Sequence, residues 1–512
     1  MSSGNWQSLE LPAGVVSMPT KCMRSTNWSE VNAVRWREGQ LWPIGGQEKI
    51  IYATAFASRC RKIHAFYDLS GQIYVAYLCE TNVYVDKQGT LIDITPAGGM
   101  APPPAPIGGY GVGNYSMGNY GVHPRPGAGS QVQLSILPPA YSMDNWGALL
   151  IVMSSSDGRL LWWDPAAAAG TLLTPVPNAP PGRCFAITSD RFCMIFGMLG
   201  TGGSPRRFGW CDQENITNWD FASVVSKAGY YDVEPASPIV ACHPGRSGWV
   251  LFWTAKKGYV ARFLGLPFVY NYDELGDDLC PRSPQSCAST NSAIVWQSAQ
   301  GTWMFDGTAI NPVPCPIRSW ILDDIDEINA RFQAVSVHLG LFNEVWWFFP
   351  QNGQPYNTRA AVFNYRDGWW SQCQMPRSAG ITSSYVMSPI FADGVTPYRH
   401  ESGTYFNNCP LPWADTFSLN LASGGKLTTL KQMIVDLDGD PNNMQYQLYY
   451  RTSRLGNSPE SVTGPRPIRA DGYVDFRTTG RDIRMRCSVI GPSVPRFTLG
   501  QHLIDVAVRG DR

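Results

Sequence analysis

Cys211, Asp212 and Glu214 stand close together in the stretch RRFGWCDQENITNWDFAS (Arg206–Ser223), between Trp210 and Trp219. A thiol beside carboxylates suggests a nucleophile with its acids. A nucleophilic cysteine, however, needs a base or a nearby cation to draw its pKa down, and no histidine is close in sequence. Asp212, Gln213 and Asn215 are also the residue types that build turns and satisfy loose backbone groups. The stretch therefore predicts a strand ending near Trp210, a polar turn, and a returning segment anchored by Trp219. Asp323 and Glu327 form a second candidate pair, one helical turn apart in RSWILDDIDEINARF (Arg318–Phe332). A glycosidase needs two carboxylates opposed across a cleft, whereas acids early in a helix are explained by its dipole. DELGDD (Asp273–Asp278) lacks the spaced oxygen ligands and terminal glutamate of a calcium loop. The six histidines, His64, His123, His243, His338, His400 and His502, fall in no metal-binding spacing. GxSxG, P-loop and dinucleotide fingerprints are missing too, so the expectation is a chain with no catalytic, metal or cofactor-binding residues.

Such a chain is expected to be a scaffold, and its composition agrees. Of 512 residues, 44% are hydrophobic, 12% aromatic and only 16% charged, with 50 Gly and 40 Pro. That balance suits short strands joined by tight turns rather than long solvated helices, and the length exceeds what one compact core organises. Formal net charge is zero. A tight DNA binder wants a basic excess, since neutralised phosphates release counterions; a surface that DNA slides past does not. The thirteen cysteines show no CxxC pair and read as reduced, mostly buried thiols of a protein folded in a reducing cytosol. Neither a signal peptide nor an apolar run long enough to span a membrane is visible, so the sequons at Asn27, Asn114 and Asn215 read as chance matches.

One local pattern recurs: a turn, a short alternating strand rich in aromatics, then Asp or Asn. It appears as TNVYVD (Thr81–Asp86), GRLLWWD (Gly158–Asp164), GTWMFDG (Gly301–Gly307), AVFNYRDG (Ala361–Gly368), GTYFNN (Gly403–Asn408) and, more weakly, GYVARF (Gly258–Phe263). Most copies follow another apolar strand, which makes hairpins. About six irregular hairpins predict a mainly β chain built as a β-propeller, the alternative being an ordinary sandwich or barrel. Residues 1–50 would close or brace the propeller, and 51–412 would form it, with insertions near 98–130 and 198–233. Residues 413–512, after Pro410 and Pro412, alternate strands and turns as a β-sandwich-like domain. Between Arg451 and Arg512 eleven Arg face six acids, a balance of +5 (11 − 6). The helix expected over Arg318–Phe332 would be capped by Ser319.

Three stretches, taken in order, carry a family likeness. They are NWSEVNAVRWREGQLWPIGG (Asn27–Gly46), with Trp28, Arg35, Trp36, Gly45 and Gly46; the ladder YGVGNYSMGNYG (Tyr110–Gly121); and RRFGWCDQENITNW, with Trp210, Asp212 and Trp219. Together they resemble the tail nozzle or hub proteins of short-tailed bacteriophages, also described as tail tubular protein B or packaged-DNA stabilisation proteins. The ending LGQHLIDVAVRGDR (Leu499–Arg512) is similar as well, more loosely. The resemblance implies a structural virion protein, assembled in the host cytoplasm, that forms a homohexameric ring around the DNA exit channel. It implies docking to the portal–adaptor connector and to tail fibres or tailspikes, passage of genomic DNA without sequence-specific binding, and no catalysis. A carbohydrate-binding propeller adhesin is the competing reading, and a propeller glycosidase using Asp323 a third.

Overall fold

The computed structural model describes residues 6–17, 26–104, 137–200, 202–234, 237–245, 248–407, 409–419, 421–422, 426–453, 459–494 and 496–510. Among them seven four-stranded antiparallel sheets form the blades of a β-propeller. The innermost strands, in order, are Cys60–Tyr67, Tyr141–Trp146, Cys184–Ile187, Ile239–Pro244, Cys287–Ser289, Val335–Leu339 and Ala379–Ile381, here blades 1 to 7. Neighbouring inner strands touch around a closed ring, and between blades 4 and 5 a hydrogen-bond contact links His243 Nδ1 and Ser289 Oγ at 3.3 Å.

Alternate residues of each strand fill the two gaps that flank its blade. In blade 4, Leu251 and Trp253 pack against Trp296 and Phe305 of blade 5. Phe252, between them, packs against Phe196 and Phe208 of blade 3. Both faces of each blade are thus buried, which is why the strands read as continuous apolar runs such as LLIVM. The gaps form a closed circuit, blade 7 meeting blade 1 through Ile390, Ala392, Ile63 and Tyr77. The N-terminal segment fastens that circuit: Gln47–Lys49 is the outermost strand of blade 7 and pairs with Thr396–His400. The pairing joins the N-terminal end of the propeller sequence to its C-terminal end.

The count is seven because GTYFNN drops out of the six expected hairpins and blades 3 and 7 join the remaining five. GTYFNN is a loop, whose Tyr405 carbonyl accepts from the Gln47 amide at 2.7 Å. The region near 198–233 is not simply an insertion: Ser204–Trp210 and Gly229–Asp232 are the outer strands of blade 3. The Gly-rich turn before Ser204 hid that hairpin. Only the connection between those two strands is inserted. Of the other insertion, the ladder Tyr110–Gly121 lies outside the described residues.

The second unit is a sandwich of two six-stranded sheets, and residues 413–512 supply only part of it. Trp6–Leu9, Val34–Arg37 and Gln40–Pro43 join the sheet of Leu427–Asp438, Tyr473–Gly480 and Thr498–Gly510. Trp28–Asn32 joins the other sheet through Trp413–Thr416. The first fifty residues therefore run through both units, four strands in the sandwich and one in blade 7. Trp28, Val31 and Trp36 share one core with Leu430, Tyr446 and Met485 of the sandwich and with Val295 and Trp347 of blades 5 and 6.

The helix expected over Arg318–Phe332 is two short ones, Arg318–Leu322 and Glu327–Gln333. Ser319 does not cap the first, whose N-cap Ile317 offers no side-chain bond. The break has tertiary causes. Asp324 is held by Arg359 at 3.0 Å and by Gln351 Nε2 at 2.8 Å. The Asp326 amide donates to the Pro350 carbonyl, and the Asp326 carboxylate caps the second helix at Asn329 N, 2.9 Å away. These bonds outweigh helix propensity over four residues.

Candidate functional site

The stretch that opened the chemical question is a structural knot. Trp210 ends the third strand of blade 3, and its Nε1 donates to the Lys227 carbonyl at 2.8 Å. Cys211 is fully buried, and burial pushes its thiol up to about 12. That direction is opposite to the one a nucleophile needs. Asp212 ties the turn: its carboxylate accepts from Gln213 N (2.9 Å), Lys227 N (3.0 Å) and Asn218 Nδ2 (3.1 Å). Trp219 is buried among Ile151, Met153, Phe185, Ile195 and Cys211, with Nε1 donating to the Ile216 carbonyl at 2.7 Å. Glu214 faces solvent in the left-handed region (φ 62) and pairs with Arg191.

The other motif residues meet where the sandwich joins blade 6. Val34–Arg37 and Gln40–Pro43 form a hairpin whose two turn residues, Glu38 (φ 52) and Gly39 (φ 81), both take positive φ, as a two-residue turn with the strand twist requires. The hairpin carries Arg35 into a buried triad. Its Nε lies 3.0 Å from Glu344 Oε1 and its Nη2 2.6 Å from Glu401 Oε1. Burial by itself would lower the Arg35 pKa; the facing carboxylates of Glu344 and Glu401 outweigh it, and the pKa is raised. The guanidinium also stacks 3.7 Å over the Phe342 ring. Glu344 accepts from Trp346 Nε1 at 2.9 Å and Glu401 from Gly45 N at 2.9 Å, so the carboxylates are held from behind. Gly45 and Gly46 are needed for close approach. A Cβ on Gly45 would lie 2.6 Å from Glu401 Cα, and one on Gly46 would lie 2.5 Å from the Gly403 carbonyl oxygen. Trp28, Arg35, Trp36, Gly45 and Gly46 thus share one joint, apart from Trp210, Asp212 and Trp219 in blade 3. Glu344 and Glu401, its other half, sit more than three hundred residues from Arg35 in a strand and a loop without local signature; nothing in the sequence marks them.

Above the triad lies an open cleft of about 800 Å³. Its rim is three tight turns: Glu38–Gly39 of the hairpin and two turns of blade 6 that carry Asn343 and Arg366.

The propeller axis is a different environment. Arg61 of blade 1 reaches across it to the Phe332 carbonyl and to Gln333, ahead of blade 6. Gln285, ahead of blade 5, donates to the Tyr141 carbonyl of blade 2 at 2.9 Å. These bonds close the axis and leave a cavity of about 110 Å³ lined by Lys62, Asp144, His243 and three cysteines. Burial, with Lys62 nearby, lowers His243 to about 4. Across the mouth His64 Nε2 lies 3.0 Å from Asn145 Oδ1. Among the described residues no group of three His, Cys, Asp or Glu is placed to hold a metal ion. The twelve described cysteines are all free thiols, and no helix among the described residues is long and apolar enough to cross a membrane.

No family model matches the chain, and no curated protein matches it. Similar solved structures include the β-propeller domain of Myceliophteria thermophila Cps50 (Swd1), at 8% identity and TM-score 0.39 over 70% of this chain and 99% of that one. YCF48 bound to a D1 peptide matches at 9% identity and TM-score 0.34, over 78% and 96%. An exo-β-1,3-galactanase from Phanerochaete chrysosporium with galactose matches at 10% and TM-score 0.23, over 72% and 96%. At such scores the likeness carries nothing about function; the propeller assignment rests on the seven closed sheets.

Proposed function

We propose that this chain is a non-catalytic virion scaffold, the ring-forming nozzle or hub of a short phage tail. The observation that carries the reading is where the motif residues fall: each is a joint of the scaffold. Trp28, Trp36 and the Arg35 triad weld the sandwich to blade 6, Gly45 and Gly46 let the closing strand pass, and Trp210, Asp212 and Trp219 knot blade 3. Residues that resemble a family signature and turn out to be weld points suit a protein selected for rigidity under load. DNA would not thread the propeller itself. Arg61 and Gln285 close that axis, and a duplex has a major groove alone about 12 Å wide. The conduit would be the lumen of a ring of copies, and the zero net charge keeps phosphate affinity low there. In this reading the ring docks a portal–adaptor connector on one side and fibres or tailspikes on its outside. Electron microscopy of the purified chain, alone and mixed with portal–adaptor, tests it: closed six-fold rings on the connector are expected, and a chain that stays monomeric and never joins a tail overturns it. The adhesin reading finds its support in the open cleft between the Val34–Pro43 hairpin and blade 6.

A further inference from the structure

The cleft over the Arg35 triad contains charged groups that the scaffold does not use. Arg37 ends the first strand of the hairpin, exposed, with its guanidinium 5.1 Å from the Trp42 ring and 5.0 Å from Phe342. Arg366 lies on the turn after Arg359–Asn364, and that turn is rigid: Asn364 Oδ1 accepts from the amides of Arg366 (3.0 Å) and Asp367 (2.8 Å). Among the described residues neither Arg37 nor Arg366 makes a side-chain hydrogen bond or an ion pair, although Glu38 and Asp367 adjoin them in sequence. Arg35 two residues away is ion-paired with both Glu344 and Glu401, so the contrast is local.

A cleft of this volume falls within the ~300–1,000 Å³ of small-molecule sites. It offers three chemistries together. The two guanidinium groups present planar forks suited to carboxylates. Glu38, Asp367 and Asn343 present acceptors, and Asn343 a donor as well. Leu341, exposed on the turn beside Phe342, offers an apolar side chain. We propose that this cleft binds an acidic oligosaccharide, its carboxylates on Arg37 and Arg366, its hydroxyls on Asn343, Asp367 and Glu38, and the apolar face of a sugar ring on Leu341. An acidic peptide fits less well, because its backbone donors lie at a fixed spacing apart from its carboxylates, whereas an acidic sugar sets hydroxyl donors on the same ring as the carboxylate. A neutral sugar leaves the guanidinium groups unused. The site stands whether or not the chain forms a ring, because every group named belongs to one copy.

The test is isothermal titration of the full chain with oligogalacturonate, with a neutral galactose oligomer of equal length, and with an oligoglutamate peptide. Saturable binding of oligogalacturonate that falls about tenfold or more in Arg366→Ala and in Arg37→Ala, the loss expected of one charge-assisted pair, supports the site. So does weakening by added salt. Both arginines are exposed rim residues, so melting temperature and assembly state should not change in either variant, which separates failure of this site from failure of the nozzle reading. Four results would each overturn the proposal: no heat at millimolar oligogalacturonate, binding indifferent to both substitutions, a neutral oligomer bound as tightly, or the peptide bound as tightly.

Discussion

Replacing Arg35 by methionine removes the cation from a site where two carboxylates are arranged around it. Glu344 is 1% exposed and touches Arg35 through two atom pairs, at 3.0 and 3.2 Å; Glu401, 16% exposed, lies 2.6 Å away. A contact near 4 Å at an effective dielectric near 20 is worth about 4 kcal/mol of attraction, and most of that only offsets the desolvation already incurred. The net effect of deletion is set by what stays behind. Glu344, without its cation and cut off from water, is an uncompensated buried charge, a situation that costs about 3–5 kcal/mol. Loss of the stacking over Phe342 at 3.7 Å adds about 1 kcal/mol. Glu401 contributes less because water reaches it. The double variant Arg35→Met with Glu344→Gln removes the stranded charge and keeps an acceptor for Trp346 Nε1, so it should recover at least about half of the loss. Urea unfolding followed by tryptophan fluorescence reads the difference, since Trp36, Trp346, Trp369 and Trp370 lie in or beside the joint. A single variant that loses less than about 1 kcal/mol, or a double variant as unstable as the single, would refute the argument that charge compensation holds the two units together.

Three further outcomes are expected. Trp219→Ala should cost about 3–5 kcal/mol by opening a cavity among Ile151, Phe185 and Ile195, seen as a lowered urea midpoint; a change below about 1 kcal/mol would mean the ring is not an anchor. Cys211, with its thiol near 12 and no exposure, should resist iodoacetamide at neutral pH in the folded chain and react once urea unfolds it; fast labelling of the native protein, read by peptide mass spectrometry, would contradict the buried-thiol reading. His502 is 2% exposed, meets Tyr446 Oη at 3.1 Å, and is lowered to about 4 by burial. Between pH 6.5 and about 4 the unfolded chain takes up a proton that the folded chain refuses, so this contribution is complete above pH 6.5 and is lost as pH falls. The loss amounts to about 3 kcal/mol (2.5 pH units at 1.36 each), and His502→Gln should flatten that part of the stability profile; an unchanged profile would contradict it.

The propeller was legible because its strands carry two signals at once: aromatic alternation within each hairpin, and a turn residue at each end. In blade 3 the strand ending at Trp210 was expected, but the blade escaped because a Gly-rich turn precedes Ser204 and a polar knot separates Trp210 from the fourth strand, Gly229–Asp232. Blade 7 escaped because its fourth strand, Gln47–Lys49, lies more than three hundred residues before the other three. Strand pairing over such separations leaves no local pattern. The same cause hid the N-terminal share of the sandwich, where Trp6–Leu9 pairs with Thr498–Gly510 across almost the whole chain. The turn at Asp212 and the burial of Trp219 were readable, since turn chemistry is local. The partners of Arg35, and the cleft above it, were not: Glu344 and Arg366 become its neighbours only once blade 6 has folded.

The mass of the assembly that the purified chain forms in solution and on a portal–adaptor complex, measured by native mass spectrometry, addresses the scaffold account most directly. A closed ring of six copies on the connector is the predicted result. A single chain under both conditions would contradict it.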